Sequence, residues 1–279
     1  MSAYNLFLLK AIQCALKAGR KILEVYDSDY AVEHKADNSP LTQADQASHD
    51  LLVGALEWFK LPVLSEEGRE IPYEERKTWE RLWIIDPLDG TKEFIKHNGE
   101  FTVNIALVDY GRATLGVVYA PVKDILYFAA VGMGAYRIDH ASEAVHFNGE
   151  LDERKTEDTV NRIVKGAVRL PVTKPAGSPY TIVGSRSHSG PDLKNFVEQK
   201  RREYGEVNFV SAGSSLKICL VAEGTADLYP RFGPTCEWDT AAGQAIAENA
   251  GAKLLDFKTG EPLRYNRSDM LNPWFVVRR

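Results

Sequence analysis

Apolar and polar positions fall into three successive textures along this chain. The first is helical. Residues 2–26 form one amphipathic block, and a second spans 42–59, with Leu41, Ala44, Ala47, Leu51, Leu52 and Leu56 near helical spacing. Between them "EHKADNSPLTQAD" is polar and contains Pro40, so it reads as a loop feeding the second helix. "LPVLSEEG" then reads as a short strand ending in acids.

From Arg81 the texture turns to strands. "RLWIID", "FTVNIALVDYG", "ATLGVVYAP", "DILYFAAVG" and "GAYRID" are short apolar runs separated by Gly, Pro and Asp. Adjacent short strands predict an antiparallel sheet, with the two helices over one face. Residues 141–178 are charged and weakly patterned, and read as a connection between an N-terminal α+β domain, 1–178, and a C-terminal α/β domain, 179–279.

In the third texture strand and helix alternate. "YTIVGSRSH" is a strand and turn, 191–204 a helix, "VNFVSAGSS" a strand and turn, and 216–224 a helix. "ADLYPRF" follows as a strand, then "EWDTAAGQAIAENAGA" as a helix with Asp239 at its start and Gly251 at its stop. "LNPWFVVRR" closes the chain as a strand. No internal repeat or long low-complexity segment interrupts the pattern.

Composition narrows the function. A formal charge of -5 over 279 residues argues against a nucleic-acid polymer as partner. Three cysteines, without CxxC or zinc-type spacing, point to a reducing compartment. No stretch reaches the roughly eighteen apolar residues of a membrane span. The expected location is the cytoplasm, with loose association at the inner membrane face left open, and the chain is compatible with a monomer or a homodimer.

The chemistry is concentrated in acids at element ends. In "WIIDPLDGTKEFI" an apolar run stops at Asp86, and Asp89 follows three residues later. Pro87 biases Asp86 toward extended backbone, Gly90 allows a sharp turn, and Thr91 suits a helix N-cap. Taken alone this is an ordinary Asx-type turn with a capped helix. Glu66 and Glu67 read equally well as solvated acids, Asp239 as an N-cap and Asp45 as an exposed helical acid. Together, however, four acidic positions at four element ends are what a two-metal site requires. Mg²⁺ prefers hard oxygen ligands, and two such ions about 4 Å apart can hold a phosphate, activate water and stabilise a leaving oxygen.

"DPLDGT", with "EE" upstream and "WDTAAG" downstream, resembles the signatures of the inositol monophosphatase superfamily of metal-dependent, lithium-sensitive phosphatases. The resemblance covers essentially the whole chain. "KADNSPLTQAD", "LSEEG", "GVVYAP", "SRSH" and "GSSLKICLVAEGTADLYPRFGPT" further resemble the 3'(2'),5'-bisphosphate nucleotidases of the CysQ type. "DGTKEF" is the discriminating piece, since inositol monophosphatases more often read "DGTTNF".

The resemblance implies an α/β fold, a layered αβαβα sandwich of the inositol monophosphatase and fructose-1,6-bisphosphatase type, with the site between the two domains. It implies two or three Mg²⁺ ions. Glu66, Asp86 and the Leu88 carbonyl would hold one, Asp86, Asp89 and Asp239 a second, and Glu66 would assist a third. Asp45 and Thr91 would orient the attacking water, and Gly90 and Thr91 would offer backbone N–H groups to the phosphate. The implied substrate is a nucleotide bisphosphate, adenosine 3',5'-bisphosphate or its sulfated relative, which loses its 3'-phosphate. His188, Ser214, Lys217 and Arg231 would hold the nucleotide end, the two cations facing a 5'-phosphate that the metals do not neutralise.

Two rival readings stand beside this one. One keeps the chemistry on an inositol or sugar phosphate, and the other is a nucleotide sensor without catalysis. Two features depart from the family pattern: the length of 141–178, and Cys236, three residues before Asp239.

Overall fold

In a computed structural model the described residues are 4–26, 32–34, 40–147, 153–185 and 190–279. They build two large sheets, one two-stranded sheet and three layers of helix. The chain opens with α1 (Asn5–Tyr26), the short antiparallel pair β1 (Val32–His34) and β2 (Pro40–Thr42), and α2 (Gln43–Leu56). The expected loop before α2 therefore holds two strands, and Leu41 belongs to β2 rather than to the helix. A single 3-10 turn, Glu57–Phe59, ends the second helix.

Next come β3 (Val63–Ser65), the short α3 (Tyr73–Arg76), β4 (Arg81–Asp89), α4 (Thr91–Ile95) and β5 (Thr102–Asp109). They are followed by β6 (Arg112–Ala120), β7 (Ile125–Ala130) and β8 (Gly134–Asp139). With a later strand these form a seven-stranded sheet in the order β3-β4-β5-β6-β7-β8-β9. It is antiparallel as expected except at one edge, where β3 lies parallel to β4 and Ser65 pairs with Ile85.

The segment expected to be a bare connection is structured instead. It contains α5 (Ala141–Ala144), α6 (Glu153–Lys165) and β9 (Val168–Leu170), and β9 completes the sheet beside β8. The charge of "ERKTEDTVNRIVK" hid a single apolar edge, on which Val160 and Ile163 are buried in the core beneath α1.

The remaining elements are β10 (Tyr180–Gly184), α7 (Pro191–Tyr204), β11 (Val207–Ser211), α8 (Leu216–Glu223), β12 (Leu228–Arg231), α9 (Glu237–Asn249), β13 (Lys253–Asp256) and β14 (Phe275–Arg278). Only β13 has no counterpart in the expected pattern. The five strands form a mixed sheet, β11-β10-β12-β14-β13, parallel at β10 and antiparallel around β14.

Period-two alternation along β4 shows how the layers stack. Trp83 and Ile85 pack with α1, α2 and α6, while Leu82 and Ile84 face a second core shared with α8, α9 and the smaller sheet. Both faces are buried, so the strand reads as an unbroken apolar run. α7 covers the outer face of the smaller sheet through Leu193 and Val197. The stacking order is helix, sheet, helix, sheet, helix.

The central layer is unusually close. A Cβ placed on Gly116 of β6 would lie 2.2 Å from the Ala242 carbonyl of α9. Glycine there, and Ala241, Ala242 and Ala245 on the facing helix, let α9 lie almost directly on the sheet. This contact brings the N-terminus of α9 to the end of β4.

Candidate active site

The end of β4 is bulged. Asp86 pairs with Asn104 and Asp89 with Thr102, so three steps on β4 oppose two on β5. Pro87 and Leu88 occupy the bulge, where the missing N–H of proline costs no ladder bond. The Ser48 hydroxyl donates to the Pro87 carbonyl at 2.7 Å, and the Leu88 N–H donates to Asp86 Oδ1 at 3.1 Å. The strand thus runs on to Asp89 instead of ending at Asp86. The expected Asx-type bond is present, but it uses one carboxylate oxygen only. Asp86 Oδ2 is buried with no hydrogen-bond partner.

Gly90 takes φ 99°, the left-handed turn that glycine adopts most readily, and is itself the cap of α4. Thr91 is therefore the first helical residue rather than the N-cap, and no side chain caps this helix.

Asp239 reaches the same point from α9. It is the third helical residue, not the cap that the sequence suggested. Cys236 is the cap, and Asp239 Oδ2 accepts the Cys236 N–H at 2.6 Å in a capping box. Oxygen atoms of Asp86, Asp89 and Asp239 all lie within 4.8 Å of one another. Glu66 follows β3, its N–H donating to the Ile85 carbonyl at 3.3 Å, and Asp45 is buried in the first turn of α2.

Electrostatics reports the crowding. Burial, then Glu66, Asp89, Asp239 and Asp45, hold the Asp86 carboxyl well above its ordinary value. Burial, then Asp89 and Glu66, push Asp239 up to about 8. A buried oxygen without a partner among like charges is satisfied by a cation, and the donors are all hard oxygens. The residues present therefore fit a divalent metal such as Mg²⁺, which Asp86, Asp89 and Asp239 would hold with Glu66 beside them.

A cavity of about 140 Å³ continues from the acids and is lined by Asp89, Asp239, Ser214, Lys217, Tyr229 and Arg231 among others. Lys217 is not a surface charge but is 6% exposed. Its Nζ donates to the Ser214 carbonyl at 2.6 Å and lies 5.7 Å from the Tyr229 ring centre. Burial lowers its pKa to about 8. Arg231 donates through Nη2 to the Pro234 carbonyl at 2.9 Å, while its Nε is buried and unpartnered. His188 lies outside the described residues.

Residues 7–273 match the model of the inositol monophosphatase family. The chain belongs to that family. It is 46% identical over 270 residues to the 3'(2'),5'-bisphosphate nucleotidase CysQ of Escherichia coli K12, covering 95% of this chain and 96% of that one. The crystal structure of CysQ from Bacteroides thetaiotaomicron superposes with a TM-score of 0.88 at 46% identity, covering 100% of this chain and 98% of that one. The extragenic suppressor protein suhB of Bartonella henselae shares the fold at 24% identity, with a TM-score of 0.71 over 98% of this chain and 93% of that one.

Three supporting residues escaped the sequence reading. Asp89 Oδ2 accepts the Ser215 N–H at 2.7 Å and lies 2.9 Å from its hydroxyl, which is also 2.8 Å from the Asp239 carbonyl. Asn104 Nδ2 donates to Ser215 Oγ at 2.9 Å and to Asp89 Oδ2 at 3.3 Å. Ser48 holds the bulge. Asn104 carried a readable signal, since a polar side chain inside "FTVNIALV" sits in a strand buried on both faces and needs a partner there. Ser48 and Ser215 carried none, because helix and turn serines are common.

Proposed function

We propose that this chain is a Mg²⁺-dependent 3'(2'),5'-bisphosphate nucleotidase that removes the 3'-phosphate of adenosine 3',5'-bisphosphate, leaving AMP. The observation that carries the reading is one cavity lined both by Asp89 and Asp239 of the acid trio and by the buried Lys217 and half-buried Arg231. A single-phosphate substrate would use only the acids. The 3'-phosphate of 3'-phosphoadenylyl sulfate fits the same arrangement, which places the enzyme in nucleotide recycling beside sulfur assimilation.

When bound, Mg²⁺ at this site neutralises the reacting phosphate and eases deprotonation of water. Asp86, Asp89 and Asp239 would hold the ions, with Glu66 and the Leu88 carbonyl as further ligands for two or three of them. Asp45 and Thr91 orient the attacking water, and the Asp45 carboxylate accepts its proton. Gly90 and Thr91 present backbone N–H groups to the phosphate. Ser214, Lys217 and Arg231 fix the 5'-phosphate, with His188 assigned to the nucleotide. Positioning and charge account for the rate, and no covalent enzyme intermediate is required.

In this reading residues 1–178 supply most metal ligands and 179–279 the nucleotide contacts and Asp239. Among the described residues no helix is long and apolar enough to cross a membrane. The three thiols are free, in keeping with the proposed cytoplasmic location.

The test is phosphate release with Mg²⁺ from adenosine 3',5'-bisphosphate and, in parallel, from inositol 1-phosphate. Strong preference for the nucleotide, lost in Asp86→Asn, supports the reading. Preference for the inositol phosphate would move the substrate and leave the metal site standing, and release from neither would favour a nucleotide sensor. Lys217→Met should raise KM for the bisphosphate about tenfold or more with a smaller change in kcat.

A further inference from the structure

Glu100 stands between α4 and β5, in the same half of the chain as Asp86 and Asp89, and grips the turn that carries Ser214 and Lys217. Its Oε2 accepts the Gly213 N–H at 3.0 Å, and its backbone carbonyl accepts the Ser214 hydroxyl. Its side chain is 14% exposed, with Lys123 Nζ 3.9 Å from Oε1. A carboxylate accepting a backbone N–H makes a stronger bond than a neutral acceptor.

The fit around this grip leaves no slack. A Cβ on Gly213 would lie 2.4 Å from the Glu100 carbonyl oxygen and 2.8 Å from Glu100 Cβ. A Cβ on Gly90 would lie 2.8 Å from Ser214 Oγ. Ser214 is itself held at φ 47°, a conformation that a non-glycine residue keeps only when its surroundings impose it. The turn is thus wedged between Gly90 and Glu100.

The consequence runs through Lys217, whose Nζ is anchored on the Ser214 carbonyl. Ser215, the next residue, is held separately by Asp89 and Asn104. Removing the Glu100 carboxylate therefore takes away the support of Gly213, the residue just before the lysine's anchor, while the support of Asp89 stays in place. We infer that Glu100 is a positioning residue for recognition of the substrate's second, non-reacting phosphate, acting through the 213–217 turn. This inference rests on the bisphosphate reading above.

The experiment compares full-length Glu100→Ala, Glu100→Asp and Glu100→Gln on adenosine 3',5'-bisphosphate and on adenosine 3'-monophosphate, which lacks the second phosphate. Alanine loses the side-chain acceptor and aspartate falls a methylene short. Each should raise KM for the bisphosphate about tenfold, with kcat and the monophosphate kinetics within about threefold of wild type. Glutamine retains an acceptor oxygen of the same reach and should restore KM to within about threefold. Equal losses on both substrates, or a fall in kcat with KM unchanged, would overturn the positioning role. If wild type turns over both substrates equally well, the bisphosphate reading itself falls and this inference with it. Should the alanine protein not fold, the aspartate and glutamine pair decides, since both keep the polar side chain.

Discussion

Asp89 on the larger sheet accepts two donors from Ser215, the N–H at 2.7 Å and the hydroxyl at 2.9 Å, across the seam between the two halves of the molecule. Both bonds fall on Oδ2, so the carboxylate is turned and held before any cation arrives. Partners of this kind orient ligands and tune their basicity.

Ser215→Ala removes the hydroxyl and keeps the N–H. The Mg²⁺ concentration for half-maximal rate should rise about tenfold, with KM at saturating metal little changed. A metal titration of the initial rate checks this. An unchanged titration would show that the backbone bond alone orients Asp89.

Asp86→Asn should separate stability from activity. In wild type the buried Oδ2 has no protein partner and sits among four other acids. The neutral amide relieves that repulsion, so the metal-free variant should gain about 1 kcal/mol while activity falls at least about a hundredfold. Thermal melts with chelator, alongside phosphate release, test both halves of the statement. A variant less stable than wild type in chelator would contradict the account of Asp86.

The same crowding sets a pH dependence for the metal-free protein. The folded-state pKa of Asp239 is about 8, against an ordinary 3.8. Its contribution to stability is full below 3.8, where both states are protonated, and is lost as pH rises toward 8. Asp86 shifts in the same direction. Melting temperature in chelator should therefore decline across this window. Saturating Mg²⁺ should flatten the decline, because a cation favours the charged carboxylates and binds only the folded state. Melts from pH 5 to 8, with and without the metal, give the comparison.

Gly116→Ala tests the central packing. The added methyl meets the Ala242 carbonyl at 2.2 Å, and backbone cannot swing aside as a flexible side chain does. Overpacking of this kind costs about 1–3 kcal/mol, which lowers Tm by several degrees in a chain of this size. Gly132, with nothing within 4 Å of an added Cβ but a φ of 79°, is the control for backbone strain alone.

Much of this was legible in the sequence. The apolar runs located the strands from β4 to β8, and helix α7 falls on the expected residues 191–204. The acids of "DPLDG" and "EWD" do meet, because each ends an element that the packing of α9 on β6 brings together. Elements with little apolar content were not legible. α6 buries only a narrow edge, and β1, β2, β9 and β13 are three or four residues long, too short for periodicity to register. The burial of Lys217 was also invisible, since nothing local in "GSSLK" says that Tyr229 will lie beneath it. The capping role of Cys236 escaped for a similar reason, as Asp239 three residues later is the more familiar cap.

The layer formed by α8 and α9 has one further consequence. Each sheet buries an apolar face against these helices, so neither half owns a complete interior. A cut near residue 178 would leave both fragments with raw, sticky surfaces instead of yielding two working modules. Fragments made separately should clump unless they are produced together and allowed to reassemble. The intact chain, by the same token, should melt in one cooperative step, with its clustered carboxylates gained or lost as a set.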